Sequence, residues 1–218
     1  MSITKEEHTL FEEWPKTNRG FVTDGVVDEA AYQASRVKTV FVLKEVNDEN
    51  GGGWDLREFL RGAKIGATWN NVARWNMGIQ SETDLKWSDG LHDMTDERRQ
   101  TALRSICAMN LKKTPGGATA ETDRIADAAE RDAAYLRRQF ALYKPDLVVC
   151  CGDPIPDLFC KHVLEIEPKW ERTSRAIEYI KHPDGFFVIK YLHPQVRWWS
   201  SLLYYGLVDA ARELIGYR

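Results

Sequence analysis

Three places in this chain put hydrogen-bonding or titratable side chains directly after an apolar run. The first is Lys44-Glu-Val-Asn-Asp48, which follows Thr39-Val-Phe-Val-Leu43 and precedes the glycine triplet Gly51-Gly-Gly53. The second is Asn110, the last residue of Ser105-Ile-Cys-Ala-Met-Asn110, and the third is His193, followed by Pro194. Carboxylates such as Glu45 and Asp48 can hold a water or steady a developing cation. A carboxamide offers a donor and an acceptor side by side. A neutral imidazole in a dry pocket can donate to an oxygen that gathers charge.

The elements that must position these residues follow from the pattern of the chain. Val40 to Leu43 is a continuous apolar run, which reads as a strand buried on both faces, as in a parallel sheet. Ser105 to Asn110 and Asp146-Leu-Val-Val-Cys-Cys151 are two more, the latter ended by Gly152-Asp153. Residues 175–180 and 186–192 flank Pro183-Asp-Gly185 and read as a hairpin, its second strand leading to His193. Between them lie expected helices. One spans 4–14 behind a Thr4-Lys-Glu-Glu7 capping box. Others run from Asp28 to Ser35, over 55–60 and over 68–77, from Thr95 or Asp96, over 122–143, from Asp153-Pro154 with Asp as cap and Pro at the first helical position, and over 198–215. Residues 81–92 read as an irregular surface loop. The alternation predicts a three-layer α/β/α sandwich around a central, mostly parallel four-stranded sheet, forming one domain over residues 1–218 with 1–37 as an N-terminal helical extension. In such sheets ligands bind beyond the carboxyl ends of the strands, which is where Glu45, Asn47, Asp48, Asn110 and His193 fall.

The composition bounds the class. With 218 residues, 43% hydrophobic and 29% charged, the chain suits one globular α/β domain. No apolar run nears the about 20 residues of a membrane span, and the acidic start lacks an apolar signal core, so a cytoplasmic protein without membrane contact is expected. A net charge of −3 argues against a broadly basic nucleic-acid-binding surface but not against a local patch. Cys107, Cys150, Cys151 and Cys160 form no Cys-x-x-Cys pair, and buried reduced thiols are expected rather than a metal site.

Four of these motifs, in order, resemble the uracil-DNA glycosylase superfamily. They are the loop Lys44-Glu-Val-Asn-Asp48, the strand end Met109-Asn110-Leu111-Lys112, the run Lys144-Pro145-Asp-Leu-Val-Val-Cys-Cys-Gly152 after a long helix, and His193-Pro194-Gln195. The resemblance covers residues 38–218. The chain departs from it at Val46, where the best-known members carry a water-activating Asp or an Asn, at Lys44 in place of glycine, and at Gln195 in place of Ser. Its cysteines do not match the iron–sulfur branch.

The resemblance implies a monofunctional DNA glycosylase without metal or cofactor, most simply a monomer. It would act on uracil or a modified pyrimidine flipped out of single- or double-stranded DNA and leave an abasic site. His193 would donate to the leaving base, and Asn110 would pair with its edge. Glu45 or Asp48 would be the essential carboxylate, and Asn47 would position water. Phe59, or else Trp54, would stack on the base. Arg197 or Trp198 would enter the gap left in the duplex, and Lys112, Lys113, Lys190 and Arg197 would grip phosphate. Two other readings remain open: a catalytically silent relative that binds nucleic acid or a nucleotide, and an unrelated α/β hydrolase using Glu45 or Asp48. The second lacks any Gly-x-Ser-x-Gly elbow or phosphate loop.

Overall fold

The computed structural model describes residues 2–14, 20–48, 51–62, 66–117, 121–196 and 198–216. In chain order the elements are α1 (Ile3–Glu13), β1 (Gly25–Val26), α2 (Glu29–Ala34), β2 (Thr39–Leu43), α3 (Leu56–Arg61), α4 (Ala67–Gln80), α5 (Asp96–Arg104) and β3 (Ile106–Asn110). They continue as α6 (Thr122–Arg131), α7 (Ala133–Ala141), β4 (Leu147–Cys151), α8 (Ile155–Phe159), β5 (Glu171–Arg172), β6 (Glu178–Lys181), β7 (Phe187–Tyr191) and α9 (Ser200–Ile215).

The strands form one mixed α/β sheet of seven, in the order β1-β3-β2-β4-β7-β6-β5. Its centre is parallel: β2 pairs with β3 and β4, and β4 with β7. The edges are antiparallel, with β1 on β3, and β6 and β5 beyond β7. The expected four-stranded sheet is therefore too small. β1 and β5 have two residues each, too few to leave a pattern in sequence, and the turn at Pro183-Asp-Gly185 folds β6 back beside β7.

Every position of β2, β3 and β4 is buried, because alternate side chains enter cores on opposite faces. Val40, Val42, Cys107, Met109, Val148 and Cys150 pack with Leu10, Ile125, Leu136 and Phe159 of α1, α6, α7 and α8. Phe41, Leu43, Ile106, Ala108 and Val149 pack with Leu60, Val72, Leu103 and Leu207 of α3, α4, α5 and α9. Burying each such aliphatic side chain contributes about 1.5–3 kcal/mol of transfer free energy. All four cysteines are buried and free. No helix among the described residues is long and apolar enough to cross a membrane.

Local differences from the sequence reading have local causes. Ser2, not Thr4, caps α1, its hydroxyl accepting from Lys5 N–H at 3.4 Å and donating to Glu29 at 2.7 Å. The long helix breaks at Asp132, whose carboxylate is held by Arg131, and resumes as α7 after that one residue, so the apolar period runs on through the break. A turn closed by Ile155 N–H to Gly152 O at 3.0 Å precedes α8, which begins at Ile155, one residue after Pro154. Residues 81–92 are tied down: Leu91 is fully buried, Arg74 donates to its carbonyl at 2.7 Å, and Trp87 N–H donates to Tyr205 Oη at 2.8 Å.

The contact between α4 and α9 depends on Gly78. A Cβ there would lie 2.5 Å from Val208 Cγ2 and 2.7 Å from Tyr204 Cε2. Gly78→Ala gains about 1 kcal/mol in helix propensity but overpacks the interface by about 1–3 kcal/mol. We expect a net loss of stability by urea denaturation; a stabilised variant would mean that the two helices separate freely.

Candidate active site

Parallel pairing brings the strand ends together. Leu43 stands opposite Asn110 and Cys151 opposite Tyr191, so β2, β3, β4 and β7 all leave the sheet at one edge. The pairing of β2 with β3 continues past the strands. Lys112 N–H donates to Lys44 O at 3.0 Å, Gly116 N–H to Val46 O at 2.9 Å, and Asp48 N–H to Gly116 O at 3.1 Å. On the other side Gly152 turns at φ 81°, and a Cβ there would stand 3.0 Å from His193 Cβ. Glycine thus serves twice, turning the chain and admitting the histidine.

A cavity of about 1170 Å³ opens at this edge. Its walls include Glu45, Asn47, Asp48, Asn110 and His193, with the aromatic rings of Trp54, Phe59 and Trp198. The volume lies slightly above the range of about 300–1,000 Å³ common for small-molecule sites, and is ample for a nucleotide.

His193 Nδ1 accepts from the backbone N–H of Gln195 at 3.2 Å. The neutral ring therefore carries its proton on Nε2. Burial, assisted by the Lys44 cation, holds its pKa below the ordinary histidine value. The loop that carries it is fastened by Asn71 of α4, 2% exposed, which donates to Pro194 O at 2.8 Å and Val196 O at 3.0 Å. Arg74 in turn donates to Asn71 Oδ1 at 3.0 Å.

Asn110 is 3% exposed, and both its backbone N–H and its Nδ2 donate to the buried carboxylate of Asp24, at 2.8 and 3.2 Å. Glu45 is ion-paired with Lys112, which also donates to Thr114 O at 2.9 Å and Pro115 O at 3.0 Å. Glu45 lies against Gly116, where any Cβ would collide with its carboxylate. Asp48 Oδ2 accepts from Gly52 N–H and Trp54 Nε1–H, both at 2.8 Å. Both carboxylates therefore brace loops while they face the cavity. Asn47 is exposed, and no described residue hydrogen-bonds its carboxamide. Val46 packs against the core.

The aromatic walls differ in accessibility. Phe59 is 41% exposed, with its ring centroid 5.6 Å from that of Trp54. Its helix, α3, is capped by Asp55 and held by Arg57, which bonds Asp55 and also Glu7 at 2.5 Å. Burial pushes Glu7 up to about 7 against the pull of Arg57. Trp198 at the mouth is 80% exposed, and its neighbour Trp199 is 71% exposed.

The expected phosphate grip needs correction. Lys112 has three acceptors inside the protein, and Lys113 is buried on Asp24 at 2.6 Å, so neither ammonium is available to a backbone phosphate. Lys190 lies 3.8 Å from Asp153 and from Glu178. Arg197 lies outside the described residues. In sequence these lysines read as phosphate contacts, but the 111–117 loop needs internal donors for its own carbonyls and for Glu45.

Sequence reasoning missed Asn71, Asp24 and Gln139. For Asp24 there was a signal: it is the one charge in the run Phe21-Val-Thr-Asp-Gly-Val-Val27, and a lone carboxylate in an apolar run is buried only when partnered. Asn71 sits in an ordinary helical pattern and gave none. No family model matches the chain, and no curated protein matches its sequence.

Asn71→Ala removes both anchors of the His193 loop and strands two carbonyls, a loss of about 2–4 kcal/mol. Thermal denaturation should show it, with faster hydrogen exchange at Gln195. Unchanged exchange there would mean that the loop is held by other contacts.

Proposed function

We propose that the protein is a monofunctional DNA glycosylase. On this reading it hydrolyses the N-glycosidic bond of uracil or a modified pyrimidine turned out of DNA and leaves an abasic site, on a three-layer α/β/α frame of the uracil-DNA glycosylase type. One observation carries the reading: the loop 44–48, Asn110 and His193, far apart in sequence, line the same cavity.

The chemistry follows from what each group can do. An extruded base enters beside Phe59 and Trp54, whose faces suit stacking. Asn110 pairs with its polar edge. As the C1′–N bond stretches, negative charge collects on the base, and the Nε2–H of neutral His193 donates to the oxygen that gathers it. The cation at Lys44 favours the same charge. The sugar becomes cation-like, and the carboxylates of Glu45 and Asp48 oppose that charge from the facing loop. Asp48 suits water-holding better, since Oδ2 is engaged with Trp54 and Gly52 while Oδ1 has no partner among the described residues. Asn47 can orient the same water. The water adds its oxygen to C1′, and its proton balances the departing base anion. No metal or cofactor enters these steps.

DNA is then held mainly by the pocket and by aromatic contact, because Lys112 and Lys113 point inward. Trp198, highly exposed at the mouth, is the described residue best placed to fill a gap in the stack. A second reading, a silent binder, draws on Val46 in place of an acid and on the ion-paired Glu45.

Incubation with DNA carrying uracil or modified pyrimidines, followed by alkali, separates the two readings. Strand breaks at the modified position support the glycosylase, and retention without breaks supports the binder. His193→Ala should lower excision by about 10²–10³-fold, the usual effect of removing such a donor, and Asn110→Ala should also lower it, with both variants folded by circular dichroism. Wild-type turnover in both would end the assignment.

The active histidine is the neutral one. Because its pKa lies below the ordinary value, the rate should hold as pH falls through about 6.5 and drop only at lower pH. A drop centred above 6.5 would contradict the proposed state of His193.

A further inference from the structure

Asp24 is fully buried behind Asn110 and is surrounded by donors. Its Oδ2 accepts from Asn110 N–H at 2.8 Å and from Asn110 Nδ2 at 3.2 Å. Its Oδ1 accepts from Lys113 Nζ at 2.6 Å and from Gln139 Nε2 at 2.8 Å. Four donors match the about four lone-pair sites of a carboxylate. The segment that carries Asp24 cannot drift. Val22 N–H donates to Lys113 O at 2.7 Å, and β1 follows at once, paired with β3. Gly25 at φ 128° leaves no room for a Cβ beside Glu7 and Tyr143.

A carboxamide has two ends of nearly equal size, so an unsupported Asn can turn over. Turning Asn110 would set its Oδ1 against Asp24 Oδ2, replacing a charge-assisted hydrogen bond with lone-pair repulsion. Lys113 and Gln139 already occupy the other oxygen, so the carboxylate has no easy way to rotate and accommodate the change.

We propose that Asp24 is a positioning residue that locks the Asn110 amide in one orientation, leaving Oδ1 and one Nδ2 hydrogen for the cavity. The site then offers an acceptor and a donor in a fixed order. A uracil-type edge presents a ring N–H beside a carbonyl, and a cytosine-type edge presents a bare ring nitrogen beside an amino group. The two have opposite order. A free amide can turn to suit either, and a locked one suits a single order. The consequence for bases rests on the glycosylase reading; the lock itself does not.

Two measurements on the full chain test this. The first is hydrogen exchange of the Asn110 Nδ2 protons by nitrogen-15 NMR. In the wild type the proton held by Asp24 should exchange slowly; exchange of both at the rate of an exposed carboxamide would overturn the lock without any variant. The second is titration with 1-methyluracil and 1-methylcytosine, which cannot be cleaved. The wild type should favour one ring by about 10- to 100-fold, the span of one hydrogen bond to a charged group. The double variant Asp24→Asn with Lys113→Met, which removes both buried charges together, should bring the ratio within about 3-fold of unity. Retention of the wild-type ratio in a folded double variant would also overturn the proposal. If neither ring binds the wild type while the Nδ2 proton held by Asp24 is protected, the lock stands and the base-recognition reading fails.

Discussion

The parallel pairing of β3, β2, β4 and β7 is the constraint on which everything else depends. Four strands that run the same way must end on the same side, and in register they end almost level: Leu43 beside Asn110, and Cys151 beside Tyr191. Three of them, β2, β3 and β4, are entirely buried up to that edge. Along β2, β3 and β4 the polar side chains that reach the cavity sit where the chain leaves the sheet, so these groups gather in one place. The antiparallel additions β1, β5 and β6 widen the sheet without moving that edge.

What lies at the edge is held with unusual thoroughness for loop residues. The 44–48 segment keeps strand-like hydrogen bonds to 111–116, and the Glu45–Lys112 pair bridges the same two segments. Asp48 fixes Trp54, Asn71 fixes the His193 loop, and Asp24 fixes Asn110. Loops with such internal bonding are preorganised, and catalysis by aimed dipoles requires that the dipoles not reorganise during reaction. The same bonding takes Lys112 and Lys113 out of the expected phosphate contacts, since both act as internal donors.

Much of this was legible in the residues, and the limits have physical reasons. Continuous apolar runs announced β2, β3 and β4, because a strand buried on both faces has no polar alternation. Their polar tips announced Glu45, Asn47, Asp48, Asn110 and His193 as cavity residues. Two-residue strands such as β1 and β5 left no trace, since pairing and not pattern makes them strands. The sequence also could not show which lysines turn inward: Lys112 is drawn by three carbonyl or carboxylate oxygens that only the folded loop assembles. Asp24 was readable in principle as a charge stranded in an apolar run, but its partners Lys113 and Gln139 lie 89 and 115 residues away.

The proposal that this edge removes a base from DNA is met most directly by mass spectrometry of the small molecules released from a panel of DNAs carrying uracil and modified pyrimidines. Appearance of one free pyrimidine, with an abasic site left in its strand and far slower release by a variant lacking the His193 imidazole, is the expected result. Absence of any free base from every DNA in the panel, with the protein folded, would contradict it.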